Sequence, residues 1–275
     1  MRALCGWILV VVHMLFLGTI GPLFACAAWL PLLLVAKVCP PSDTFYLKVR
    51  TPWDVFVHAY VVLHGIRVFD ADGGHGVFVP DVANFKGAFM MNHRSWGDFA
   101  IDPAQSDASV VARTAAVAVG LLAGLMGLLS KKVIMINRGT TSRLELMAMC
   151  AKHQRYLIYP EGTRRAHLPD ADKPCALRVG GLKNVYESGH KAFIVITVGK
   201  EEIVNERRGT IHCGTKLYRA RHPPLDPANY SKFEDFLSAF ERAWQQTWLR
   251  AYQYRAEVEA ANSGASETGI SMGMV

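Results

Sequence analysis

The sequence predicts an α/β fold, a largely parallel sheet flanked by helices, carrying an N-terminal membrane-embedded helical hairpin. Three observations predict it. From about residue 85 onward, short apolar runs of strand length alternate with segments of helical period. Ahead of them, Leu4 to Cys39 is almost wholly apolar, with Lys37 as its only charge. The chain has 275 residues, 51% hydrophobic and 19% charged, enough to bury a core and apolar enough to touch lipid. The expected boundaries are 1–40 for the hairpin, 41–260 for the α/β domain and 261–275 for a disordered, Gly- and Ser-rich tail.

The first element is set by length. As one helix, Leu4 to Cys39 would run roughly 50 Å, well past a hydrocarbon core of about 30 Å. Gly21-Pro22 near its midpoint predicts a break into two limbs, with both ends on one side of the membrane. Arg2, Lys37, Lys48 and Arg50 would then face the cytosol. Ala25-Cys26-Ala27 resembles a signal cleavage site, but Trp29 to Ala36 continues just as apolar, which favours retention. His13 reads as a packed or interfacial side chain.

The body follows in order. Trp53 to Ile66 has helical spacing, and Asp70 to Gly76 is a turn. Strands are predicted over Gly87–Asn92, Val133–Asn137, Arg155–Tyr159, Ala192–Val198 and Thr210–Leu217. Between them, Ala116–Leu129 predicts one Gly-rich helix, with Gly120 and Gly124 spaced for close packing. It reads as a core helix, or as one wall of an apolar groove. Ser142 and Glu145 form a capping box opening a helix to about His153, and Leu182–Ser188 predicts another, closed by Gly189. Phe233, Phe236, Leu237, Phe240, Trp244 and Trp248 recur at helical spacing and predict a helix docked on the domain.

Charge and cysteine usage narrow the partners. A net charge of +7 suits an anionic partner such as acidic lipid or a phosphorylated metabolite. Nucleic acid is the weakest of the anionic partners and is not expected, because no Lys/Arg run longer than a pair and no RNA-binding aromatic signature is present. The six cysteines show no C-x-x-C or metal-finger spacing, and no H-E-x-x-H is present, so no metal site is expected.

Chemistry concentrates in three stretches. In "FMMNHRSWGDFAID", His93 and Asp98 stand five residues apart after an apolar run. Ten histidines give roughly half an accidental match at that interval from ordinary aspartate frequency, so spacing alone decides nothing. His167 and Asp172 repeat the interval inside a polar loop. What distinguishes His93 is context: across a strand-to-helix turn Asp98 can fold back onto Nδ1–H, leaving Nε2 as a general base. In "LIYPEGTRR", Glu161, Gly162, Thr163 and Arg164 bring backbone N–H groups, a hydroxyl and a guanidinium to a strand end, a set suited to phosphate. "VIMINR" ends a third strand in Arg138. All three stretches sit at trailing strand ends, where open α/β sheets gather ligands.

Asn92-His93 with Asp98, then an Arg-ended strand, then Glu161-Gly162-Thr163-Arg164, in that order, resembles the glycerolipid acyltransferases. That family includes 1-acyl-sn-glycerol-3-phosphate acyltransferases and related lysophospholipid acyltransferases, and the resemblance covers roughly Phe85 to Gly199. It implies an N-terminal membrane-embedded helical pair and acyl transfer from acyl-CoA, or acyl carrier protein, to a glycerol hydroxyl without a covalent acyl-enzyme. His93 would be the base and Asp98 its orienting partner. Arg138, Glu161, Gly162, Thr163 and Arg164 would hold a phosphorylated lysophospholipid acceptor. Acyl-CoA would be a co-substrate and no other cofactor is implied. The expected site is the cytosolic face of the endoplasmic reticulum or another intracellular membrane. Two departures stand out: only Arg178-Val179-Gly180 stands where a nearby Lys-x-Gly is usual, and Phe193–Gly199 lacks the usual proline.

Three alternatives remain at this point. One is a lysophospholipid acyltransferase for another head group, or one that remodels cardiolipin. A second is a membrane-bound serine hydrolase using Ser95 with His93 and Asp98, although no G-x-S-x-G surrounds Ser95. A third is an inactive membrane scaffold.

Overall fold

The computed structural model describes residues 2–38, 51–73, 76, 77, 79, 84–137, 139–164, 174–205 and 208–268. Helix α1 spans Arg2–Val38 and α2 spans Pro52–Leu63. The break expected at Gly21-Pro22 does not occur, and α1 runs unbroken through Pro22 and Pro31. A proline costs one rung of the helical ladder, yet an apolar segment has no better way to satisfy its remaining backbone groups than to stay helical. Gly21 serves packing instead: a Cβ there would lie 3.1 Å from the Phe56 ring. The helical pair is therefore α1 with α2. His13 meets His64 and Gly21 meets Phe56, so the two run antiparallel. Thr51 and Asp54 form a capping box with Pro52 at the first helical position, which fixes where α2 begins.

Strand β1, Arg67–Asp70, then leads to β2, Gly87–Met91, and α3, Asp98–Ser106. Next come β3, Ser109–Arg113, then α4, Thr114–Val119, and α5, Leu121–Leu129. The single helix expected over 116–129 is thus two, hinged where Leu121 takes φ 46°. Gly124 permits the fold-back, since a Cβ there would strike the Val117 carbonyl. Outward-facing Leu121, Leu125 and Leu129 are exposed while Ala123, Gly124, Met126 and Gly127 are buried, so α5 shows solvent an apolar face.

The chain continues through β4, Val133–Ile136; α6, Arg143–Cys150; β5, Arg155–Ile158; and α7, Val179–Glu187. The capping box of Ser142 and Glu145 starts α6 as expected. Then come β6, Ala192–Val198; α8, Lys200–Ile203; β7, Val204–Asn205; and β8, Thr210–Ile211. Strand β9, Lys216–Arg221, and α9, Phe233–Thr268, complete the set. The strand expected over 210–217 is split, because Gly214 turns the chain at φ 74°. Helix α9 continues past the boundary expected at 261, and residues 269–275 lie outside the described residues.

Seven strands form one sheet in the order β1-β9-β6-β2-β5-β3-β4. Neighbours β6, β2, β5, β3 and β4 are parallel, and β9 is antiparallel to β6. Alternate residues serve opposite faces: Ala88 and Met90 join a core with Tyr156, Trp244 and Trp248, while Phe89 and Met91 pack with Leu157 and Val195. The aromatic stripe of α9 is buried as expected, through Phe236, Phe240, Trp244 and Trp248. The central strands are apolar on both faces because helices cover both. Their order sets β6, β2 and β5 side by side, so the loops at their carboxyl ends meet.

Candidate functional site

The turn after β2 is built by its own backbone. Asn92 at the strand end exchanges two 2.9 Å bonds with the backbone of Thr197, pinning β2 to β6. The backbone N–H groups of Arg94 and Ser95 donate to Asp98 Oδ2 at 2.5 and 3.0 Å, closing the turn at the start of α3. A carboxylate is favoured there by the helix N-terminus. Gly97 has no room for a side chain, since a Cβ would lie 2.7 Å from the Tyr60 hydroxyl.

His93 Nδ1 lies 2.9 Å from the same Asp98 oxygen, the fold-back expected from the sequence. The ring stacks on Tyr159 with centroids 4.1 Å apart and planes 15° apart, and the Tyr159 hydroxyl donates to the Asp98 carbonyl at 3.3 Å. Asp98 is fully buried, whereas the His93 side chain keeps 24% of its surface. With Nδ1–H committed to the carboxylate, Nε2 carries the ring's lone pair.

Electrostatics favour that state. Burial pushes the His93 pKa below the ordinary 6.5; Asp98 pulls it back up, and Lys200 and Arg164 add to the lowering. The imidazole is therefore neutral at neutral pH. Burial alone would raise the Asp98 pKa, but Lys200, His93 and the Ser95 N–H outweigh it, so the carboxyl stays ionised.

The stretch after β5 meets this turn. Gly162 takes φ 70° and its N–H donates to the Tyr159 carbonyl at 2.9 Å, which reverses the chain. Glu161 is fully buried and accepts from Arg94 at 3.1 Å; Arg94 in turn stacks over Trp248, 4.5 Å from its centroid. Burial raises the Glu161 pKa to about 7 against the pull of Arg94. Thr163 is exposed, and Arg164 lies over Trp96 at 4.3 Å.

Arg113, at the end of β3, donates to the Gly162 carbonyl at 2.8 Å, and the Arg178 stem packs against Gly162. Among the described residues, Arg113 and Arg178 thus both contact the Gly162 turn, two residues from Arg164. Arg113 had no signal in the sequence, because β3 is five residues long and runs straight into α4. Arg138 and the His167/Asp172 pair lie outside the described residues. Ser95 is fully buried, and its Oγ accepts from the Gly97 N–H at 3.1 Å.

No protein-family model and no curated protein matches the sequence. The fold is similar to the crystal structure of the 1-acyl-sn-glycerophosphate (LPA) acyltransferase PlsC from Thermotoga maritima, at 15% sequence identity and a TM-score of 0.61. The match covers 90% of this chain and 96% of that one. The chain therefore has a PlsC-like α/β fold, a mostly parallel seven-stranded sheet flanked by helices.

Proposed function

We propose that this protein is an acyltransferase of lipid biosynthesis. It moves a fatty acyl group from acyl-CoA to the free hydroxyl of a lysophosphatidic acid-type acceptor. The observation that carries the reading is the 2.9 Å contact of His93 Nδ1 with a buried, ionised Asp98, which leaves Nε2 basic at the carboxyl end of the central strand.

The chemistry follows from the acceptor. An alcohol attacks a thioester slowly unless a base takes its proton in the transition state. His93 Nε2 removes that proton as the oxygen adds to the thioester carbonyl. The tetrahedral intermediate then expels CoA as a thiolate, which recovers the proton from the imidazolium. Asp98 stabilises the imidazolium between the two steps. No covalent acyl-enzyme forms.

Arg164, Thr163 and the Gly162 backbone hold the acceptor phosphate, and Arg138 is assigned to the same phosphate from its sequence motif alone. Glu161 is closed off by Arg94 and acts by anchoring the loop. A serine-hydrolase role for Ser95 is disfavoured by its burial.

The lipid-facing element is α1. Val10–Pro31 has a mean hydropathy of 2.0 and only 29% of this stretch is buried. Its apolar stripe of Ile8, Val12, Leu15, Leu23 and Phe24 faces outward, and the opposite face packs on α2 and α5. A helix held along the domain in this way suits immersion in one leaflet, with the site on the cytosolic side of the endoplasmic reticulum or another intracellular membrane.

The test incubates membranes containing the protein with labelled acyl-CoA and a panel of lysophosphatidate, other lysophospholipids and glycerol 3-phosphate. Acylation of lysophosphatidate is the expected result. Preference for a different head group replaces the acceptor assignment with the remodelling reading, and release of free fatty acid without acyl-CoA replaces it with hydrolysis. In the same assay Arg164→Ala is expected to raise KM for the phosphorylated acceptor by about 10- to 100-fold, the worth of one charge-assisted hydrogen bond. An unchanged KM rules out the arginine clamp.

A further inference from the structure

Lys200 is fully buried beside the His93–Asp98 pair. It opens α8 directly after β6, where Gly199 takes φ 98° and a Cβ would lie 2.8 Å from the Lys216 carbonyl. That tight reversal sends the lysine inward. Its ammonium donates to the Asn92 carbonyl at 2.5 Å and to both oxygens of Asp102, at 2.9 and 3.0 Å. Asp98 Oδ2 is 3.7 Å away. Asp98 and Asp102 stand four residues apart on α3, so both carboxylates leave one helix face and converge on the same cation. A buried ammonium is costly to desolvate and persists only where such partners surround it.

We propose that Lys200, together with Asp102, is a positioning pair for catalysis: it holds both ends of the 93–98 turn and sets how readily His93 accepts a proton. The proposal deepens the acyltransferase reading and rests on it. Mechanically, the ammonium ties the residue before His93 to the first and second turns of α3, so the base and its carboxylate cannot drift apart. Electrostatically, its charge keeps Asp98 ionised and disfavours an imidazolium at His93.

The other charged or titratable groups around this centre are Tyr60 of α2, Arg94 in the turn, and Tyr159, Glu161 and Arg164 after β5. Both tyrosines are held neutral by burial, and Arg94 faces Glu161. Asp102 has its pKa raised by burial and by Asp98 against the pull of Lys200.

The test compares pH–rate profiles of the full-length protein in detergent for wild type, Lys200→Met, Lys200→Arg and the double variant Lys200→Met/Asp102→Leu, with His93→Ala alongside. Lys200→Met is expected to lower kcat by about tenfold or more with KM nearly unchanged. Its acid limb should move up by about half a pH unit or more, because removing the cation makes the imidazolium easier to form. Lys200→Arg keeps the charge and should keep the limb in place.

The double variant leaves no orphaned charge and no titrating Asp102, so it folds where the single change fails. Its limb should also move up, by less than in Lys200→Met, because the Asp102 carboxylate that favours the imidazolium leaves with the cation. An unmoved limb in the double variant, or a kcat loss that merely tracks the folded fraction, overturns the proposal. Wild-type activity in His93→Ala would instead remove the base assignment beneath it. A dead His93→Ala with wild-type behaviour in every Lys200 variant refutes the role of Lys200 alone.

Discussion

Replacing His93 with alanine is expected to cut kcat for acyl transfer by about 100- to 10,000-fold, the range a positioned general base supplies. KM for both substrates should stay nearly constant, because the lost interaction exists only in the transition state. The fold should survive, since the ring is partly exposed and its stacking on Tyr159 is a small part of the core. The pH dependence gives the same residue a second signature. The base works unprotonated, so activity should rise with pH through a limb below the ordinary histidine value of 6.5, where burial, Lys200 and Arg164 hold it against Asp98. It should then stay level toward neutrality. In His93→Ala that limb should vanish from the residual rate. A residual rate that keeps the limb would place the titration on another group, with Asp102 the first candidate.

The second large effect concerns stability. Glu161→Leu should cost about 3–5 kcal/mol, because it strips a fully buried guanidinium of its carboxylate. For a domain of this size that lowers Tm by on the order of 10 °C. Adding Arg94→Met should restore much of the loss, since an apolar pair of similar volume replaces a buried ion pair at little net cost. Thermal unfolding in detergent reads both values. If the single and double variants melt together near wild type, the ion pair does not anchor the turn after β5. The exposed pair of Arg143 with Glu187, 2.9 Å apart, should by contrast contribute no more than about 1 kcal/mol.

The sequence announced the parts of the fold whose signals are local. Strands β2, β4, β5 and β6 are short apolar runs bounded by turn residues, and their expected limits fall within a residue or two of the observed ones. The α9 stripe and the Ser142–Glu145 box were legible for the same reason. Elements stabilised by distant partners were not. Strand β1, Arg-Val-Phe-Asp, carries charge at both ends and is paid for by Arg219 bonding Asp70 across to β9. The hinge between α4 and α5 depends on a glycine meeting a backbone carbonyl, which periodicity does not report.

The site divides in the same way. His93 and Asp98 were legible because a strand-to-helix turn is short enough for one to find the other. The sequence places Glu161 with the acceptor phosphate, whereas its partner in the structure, Arg94, sits 67 residues earlier in a motif whose signal is its histidine. Lys200, in Gly-Lys-Glu-Glu, reads as a solvated turn, and its burial is set by two aspartates about a hundred residues away.

The most direct measurement is the distance from His93 Nε2 to the acceptor hydroxyl in a structure of the protein with a lysophosphatidate and a non-hydrolysable acyl-CoA thioether. A hydroxyl oxygen within about 3.2 Å of Nε2, with Nδ1 still on Asp98, is the expected result. An acceptor bound with its hydroxyl far from that nitrogen, or an imidazole turned so that Nδ1 leaves Asp98, would contradict His93 as the base.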